Sequence, residues 1–139
     1  MKQNFRKSIR LRGFDYKADG YYFVTIITKG RANLLAGKEN IVENELSDLI
    51  NKTVGLTLDY KVIMPNHLHL IFILEKSELG LGEIVRRLKA KVTRKIGGEL
   101  WQANYFEHII RNEKALNTIR EYIINNPLAE TLKLNPLSR

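Results

Sequence analysis

The 139-residue chain has no cysteine, which excludes a disulfide framework, a thiolate zinc site and a cysteine nucleophile. Any metal it binds must be held by histidine, carboxylate or amide groups, a donor set that suits hard or borderline ions. Histidine itself is scarce, at three residues. No apolar run is long enough to span a bilayer, and the opening MKQNFRKSIRLRGF is basic without the apolar stretch of a signal peptide, so a cytoplasmic protein is expected. Acid is short relative to base: 15 Asp and Glu stand against 23 Lys and Arg, a net charge of +8. That excess makes nucleic acid the first partner to consider and an anionic membrane the second. The length suits one domain over residues 1–139, with a basic arm over 1–12 and a short tail over 128–139.

What is present alternates between the two periodicities of regular structure. Tyr21 to Thr28 (YYFVTIIT) is aromatic and β-branched between Asp19-Gly20 and Lys29-Gly30, which predicts a central strand. Ile41 to Val54 has apolar residues at helical spacing, with acids early and Lys52 late to suit the helix dipole. Leu56 to Met64 and His67 to Leu74 read as two strands separated by Pro65-Asn66, hence a hairpin. Leu79 to Ile96 is an amphipathic helix, with Leu81, Ile84, Val85, Leu88, Val92 and Ile96 on one face and Arg86, Arg87, Lys89, Lys91, Arg94 and Lys95 over the rest. Gly97-Gly98 ends it, Tyr105 to Arg111 reads as a fourth strand, and Asn112 caps a last helix through Ile124 that Pro127 stops. The order predicts an α+β fold, a ferredoxin-like βαββαβ sandwich with an antiparallel sheet and an additional C-terminal helix. That fold hosts many activities and names none.

Two of the three histidines sit in MPNHLHLIF, as His67 and His69. Alternate residues of a strand share a face, so both imidazoles project together while Leu68 and Leu70 turn to the opposite layer. Such a pair can meet on one cation; it can equally be two half-buried polar residues near a strand end. In the last helix Tyr122 and Asn126 lie four apart and emerge on one face, where an amide oxygen can be a third metal ligand. Taken alone, Tyr122 also reads as core beside Leu116, Ile119 and Ile123, and Asn126 as a helix-end residue.

Read in order, MPNHLHLIF, WQANYFEHIIRN and IREYIINNPL resemble the IS200-like family of HUH transposases, especially its REP-associated members, and IRLRGFDYKADGYYFVTI is similar too. The resemblance runs from about Ser8 to Leu128. It implies metal ligation by His67 and His69 around Leu68, a nucleophile at Tyr122 in the EYIINNP context, and Asn126 completing the metal site. It gives His108, in the EHIIRN block, no catalytic role. The implied activity is metal-dependent cleavage and rejoining of single-stranded DNA through a 5′-phosphotyrosine at hairpin or palindromic ends, with Mg²⁺ or Mn²⁺ as cofactor. The implied partners are single-stranded DNA with hairpins, no membrane, and a second copy of the chain, unless it acts as a monomer. A phenol has a pKa near 10, so attack by Tyr122 at neutral pH requires a nearby cation or a base to accept its proton, a need that the metal or a lysine of the basic helix could meet.

Arg86, Arg87, Lys89, Lys91, Arg94 and Lys95 on that helix, and Arg6, Arg10 and Arg12 with Lys2 and Lys7 in the arm, are candidate contacts to the DNA backbone. Any one of them also serves plain solubility. The competing reading is a non-catalytic, RRM-like or domesticated nucleic-acid-binding module. Gly20, Tyr21, Phe23 and Val24 echo an aromatic RNP1 signature, which fails at Asp19, Tyr22 and Ile26 and falls on the first strand instead of the third.

Overall fold

The computed structural model describes residues 18–125. Within them run β1 (Gly20–Ile27), a 3-10 turn (Lys29–Arg31), α1 (Glu39–Lys52), β2 (Leu56–Met64), β3 (His67–Leu74), α2 (Leu81–Ile96), β4 (Phe106–Ile110) and α3 (Glu113–Asn125). All pairings are antiparallel, in the order β2-β3-β1-β4, so the expected ferredoxin-like α+β arrangement is present and β1 is central. The hairpin between β2 and β3 closes over Pro65 and Asn66, with Met64 opposite His67. Arg6, Arg10, Arg12, Lys2, Lys7 and Asn126 lie outside the described residues, as do the arm and the tail. Among the described residues no helix is long and apolar enough to cross a membrane.

Element boundaries differ from the sequence expectation for local reasons. The first helix spans Glu39–Lys52, not Ile41 to Val54. Thr53 is already extended, its hydroxyl donates to the Leu49 carbonyl at 2.7 Å, and Gly55 turns the chain at φ 85°. A Cβ on Gly55 would lie 2.5 Å from the Ser77 Cα, so only glycine fits where this turn crosses the one after β3. The second helix starts at Leu81, because Ser77 makes a local turn with Leu79 through its hydroxyl. The fourth strand is shorter than Tyr105 to Arg111, and Asn112 caps α3 as expected, accepting the Ala115 N–H at 2.8 Å.

The sheet has two differently clothed faces. On one, Tyr22, Val24 and Ile26 of β1 and Leu68, Leu70, Phe72 and Leu74 of β3 pack with Val42, Leu46 and Leu49 of α1 and Leu81, Ile84, Val85, Leu88 and Val92 of α2. On the other, Phe23, Ile71 and Ile110 pack with Leu116, Ile119 and Ile123 of α3, which lie at helical spacing on its inner side.

One irregularity sets which β2 residues belong to which face. Leu58 pairs with Phe72 but Tyr60 pairs with Ile71, so Asp59 is an extra residue in a β-bulge. Before the bulge Leu56 and Leu58 face α1 and α2. Beyond it Tyr60 and Val62 join the α3 cluster, while Ile63 packs with the larger core. Lys61 is thereby turned toward α1, where it pairs with Glu43 at 3.0 Å.

Candidate active site

His67 and His69 lie at the start of β3 on the α3 side of the sheet, opposite Ile27 and Thr25 of β1 and Met64 and Val62 of β2. Both are buried, at 3% and 1% exposure, with ring centroids 4.7 Å apart. The segment after β1 braces this end of the sheet. The Thr28 N–H and hydroxyl both donate to the Asn66 carbonyl at 3.1 Å, and the Leu35 N–H donates to Pro65 at 2.8 Å. The pair therefore stands on a hydrogen-bonded platform, not on a loose loop end.

The polar contacts orient each ring. The Asn66 side-chain N–H donates to the Arg31 carbonyl at 3.3 Å, which turns its Oδ1 toward His67 Nδ1 at 2.8 Å. An amide oxygen only accepts, so His67 carries its proton on Nδ1 and keeps a lone pair on Nε2. His69 Nδ1 lies 3.0 Å from the Thr25 hydroxyl, and its Nε2 is a buried nitrogen with no hydrogen-bond partner. With Nδ1–H donating to Thr25, that orphaned Nε2 offers a lone pair too. A second group holding one ring nitrogen and freeing the other is how metal-ligating imidazoles are oriented. Neither Thr25 nor Asn66 was a candidate from sequence. Their signals were a threonine between apolar neighbours in the middle of YYFVTIIT and an amide directly before the histidine.

Electrostatics match ligation. Burial pushes His67 down to about 4, and burial together with the neighbouring His67 pushes His69 down to about 3. Both rings are thus neutral near pH 7, the protonation state in which imidazole binds a metal. Among the described residues no group of three or more His, Cys, Asp or Glu is placed to hold a metal ion. The pair fits a cation whose remaining donors are an amide, water and substrate oxygens, the donor set expected with Asn126.

Tyr122 stands near the C-terminal end of α3, half-buried, next to Ile123 in the cluster that contains Phe23. The Phe23 ring lies 5.5 Å from that of His69, so the apolar cluster under α3 borders the histidine pair. His108 is also on this side, opposite Phe23 on β4, and burial lowers it to about 4 with Arg111 nearby. It sits beside β1, away from the His67–His69 contact. Phe23 is buried beneath α3, so it is not offered for base stacking as an RNP1 aromatic would be.

The basic helix is placed otherwise than a proton-accepting role for its lysines requires. α2 covers the opposite face of the sheet from His67, His69 and α3. Its cations are also more engaged than a free basic stripe would be. Arg86 and Arg87 both bond Glu83, Lys91 pairs with Asp48 and Glu45, and Lys89 donates to the carbonyls of Gln102 and Asn104. Arg94 and Lys95 are exposed in the last turn. Lys52, Arg86, Arg87, Lys91 and Arg94 line a groove between α1 and α2.

Comparison with known proteins bears on this geometry. The family described as "Transposase IS200 like" matches residues 16–126. An uncharacterized protein of Haemophilus influenzae is 37% identical, with 88% of each chain covered. The REP-associated tyrosine transposase of Escherichia coli K12 is 24% identical over 84% of this chain and 71% of its own. Among solved structures, a REP-associated tyrosine transposase bound to a REP hairpin superposes with a TM-score of 0.72 at 23% identity, covering 94% of this chain and 74% of that one. At that identity the structural likeness is one of fold.

Proposed function

The chain belongs to the IS200-like transposase family, and from that premise we propose that it is a metal-dependent single-strand DNA transposase that cuts and rejoins DNA through a 5′-phosphotyrosine on Tyr122. The observation that carries this reading is the buried H-x-H pair, with Nδ1 of each ring held by Asn66 or Thr25 and the Nε2 of His69 left without a partner. His67 and His69, with Asn126, would hold a divalent ion, Mg²⁺ or Mn²⁺. When bound, it supplies Lewis acidity to the scissile phosphate.

Tyr122 attacks phosphorus through its phenolic oxygen. The tyrosyl O–P bond forms as the P–O3′ bond breaks, the phenolic proton leaves to solvent or a base, and the 3′ oxygen departs to become a hydroxyl. The phosphodiester energy stays in the 5′-phosphotyrosine, so a 3′ hydroxyl of another strand reverses the step and joins DNA without ATP. The apolar cluster of Phe23, Ile71 and Ile123 borders the histidine pair through Phe23, a surrounding that would help keep water from the covalent intermediate. The substrate is single-stranded DNA with hairpin or palindromic ends, in keeping with the net charge of +8 and with the hairpin bound by the structural relative.

Labelled hairpin DNA from the flanks of the coding sequence, incubated with the protein and Mn²⁺, is expected to give an SDS-resistant adduct that EDTA prevents and Tyr122→Phe abolishes. Tight binding of every flanking hairpin with no adduct would leave a hairpin-binding module that does not cut.

A further inference from the structure

The apolar contacts of α3 leave one property of the site unset. Leu116, Ile119 and Ile123 bury the helix against the sheet, but aliphatic packing is non-directional and tolerates small rotation about the helix axis. Tyr122 is carried on that helix, and its phenolic oxygen is far from the axis, so a few degrees of rotation move it appreciably. A misplacement of about 1 Å at a reacting atom costs on the order of a hundredfold in rate. Something directional has to fix the helix.

Arg120 supplies that direction. Its Nε and Nη2 donate to the two carboxylate oxygens of Asp59 at 3.0 and 2.6 Å, and its Nη1 donates to Asn117 Oδ1 at 3.0 Å, which holds the guanidinium plane from within the helix. A bidentate fork fixes orientation as well as distance. The Asp59 side chain is 12% exposed and that of Arg120 36%, so the pair is only partly screened by solvent. Asp59 is the extra residue of the β2 bulge, and bulges re-aim side chains at functional sites. Tyr60 and Val62, the next two β2 residues on this side, join the α3 cluster, and Val62 stands opposite His69. One irregularity of β2 therefore sets both the anchor of the nucleophile helix and the neighbour of a candidate ligand.

We propose that Arg120 is a positioning residue, whose fork to Asp59 sets how α3 lies across the sheet and so where the Tyr122 hydroxyl meets the scissile phosphate. This rests on the reading of Tyr122 as nucleophile. The fork acts on the rate of the covalent step and leaves DNA binding alone.

Arg120→Lys keeps the charge and loses the fork. Asp59→Asn keeps the shape and loses the charge. The double exchange Asp59→Arg with Arg120→Asp restores a pair in reverse. Each is assayed for single-turnover adduct formation on hairpin DNA, hairpin affinity, thermal midpoint, and amide hydrogen exchange across Glu113–Asn125. The expected result for Arg120→Lys is adduct formation slowed about ten- to a hundredfold, with hairpin affinity unchanged, faster exchange in α3, and partial recovery in the double exchange. An unchanged rate constant overturns the proposal, as does a rate loss matched by an equal loss of hairpin affinity. If Asp59→Asn fails to fold, Arg120→Lys decides alone. Should the unsubstituted protein form no adduct, the transposase reading falls, and α3 exchange unaltered in Arg120→Lys would overturn the anchoring by itself.

Discussion

The two faces of the sheet are built to different ends. The face under α1 and α2 is closed and aliphatic: Leu68, Leu70 and Phe72 of β3 are fully buried there against two helices. The face under α3 is covered by one helix, packed through Leu116, Ile119 and Ile123 and tied to β2 by the Arg120–Asp59 pair, and it buries His67, His69 and His108. Successive residues of the same strand, Leu68, His69, Leu70, thus serve opposite purposes. Stability is concentrated where side chains are satisfied by packing, and the proposed chemistry falls where the buried Nε2 of His69 is left without a partner at some cost to stability.

The sharpest break between the faces comes from adjacent residues of β3. His69→Ala should lower adduct formation on the order of a thousandfold, since a metal ligand supports several kcal/mol of transition-state stabilisation. Calorimetric titration with Mn²⁺ should show binding lost while the circular dichroism spectrum is kept. A spectrum that collapses would mean that the α3 face is structural too.

Leu70→Ala, one residue on, should do the reverse. It removes a fully buried side chain from the α1 and α2 face and should cost about 2–5 kcal/mol in urea unfolding. Adduct formation per folded molecule should be retained at low temperature.

Acid should find the α3 face first. His67 and His108 are held at about 4 and His69 at about 3, against 6.5 for an ordinary imidazole. Between those values the unfolded chain takes up protons that the folded one refuses, so the contribution is complete above about pH 6.5 and is lost as pH falls toward 4 for His67 and His108 and toward 3 for His69. The thermal midpoint of metal-free protein should drop across that window. Saturating Mn²⁺ should hold it up until protons displace the ion.

The smallest effect is expected where the orphaned nitrogen is designed away. Thr25→Val with His69→Leu replaces both members of the buried contact by apolar groups, which is nearly neutral or slightly stabilising. A midpoint equal to or above that of the parent, with metal binding gone, would show that the histidine is kept for ligation. A large loss would show that it holds the fold.

Much of this was legible along the chain. Aromatic and β-branched runs bounded by turn residues pointed to β1 and β3, helical spacing to α2, and the scarcity of histidine made His67 and His69 conspicuous, because each of those signals lies within a few neighbouring residues. β2 was also legible as a strand, yet strict alternation along it would set Tyr60 and Val62 on the same face as Leu58. The bulge at Asp59 reverses that assignment, and without it Lys61 would stand opposite His69, a cation beside a cation site. No local pattern in LTLDYKVIM marks the extra residue, since a bulge is decided by what the two faces must pack against.

The sequence by itself determined the type and order of the elements, that both imidazoles emerge on one side of β3, and the family of blocks to which they belong. Tertiary structure alone decided that α2 covers the opposite face from the candidate metal ligands, so that its lysines are removed from Tyr122. It also decided that Thr25 and Asn66 orient the two rings, and that Arg120 reaches Asp59 across 61 residues of chain. Periodicity is a property of neighbours along the chain, whereas sheet register, face assignment and ion pairing depend on which distant segments bury one another first.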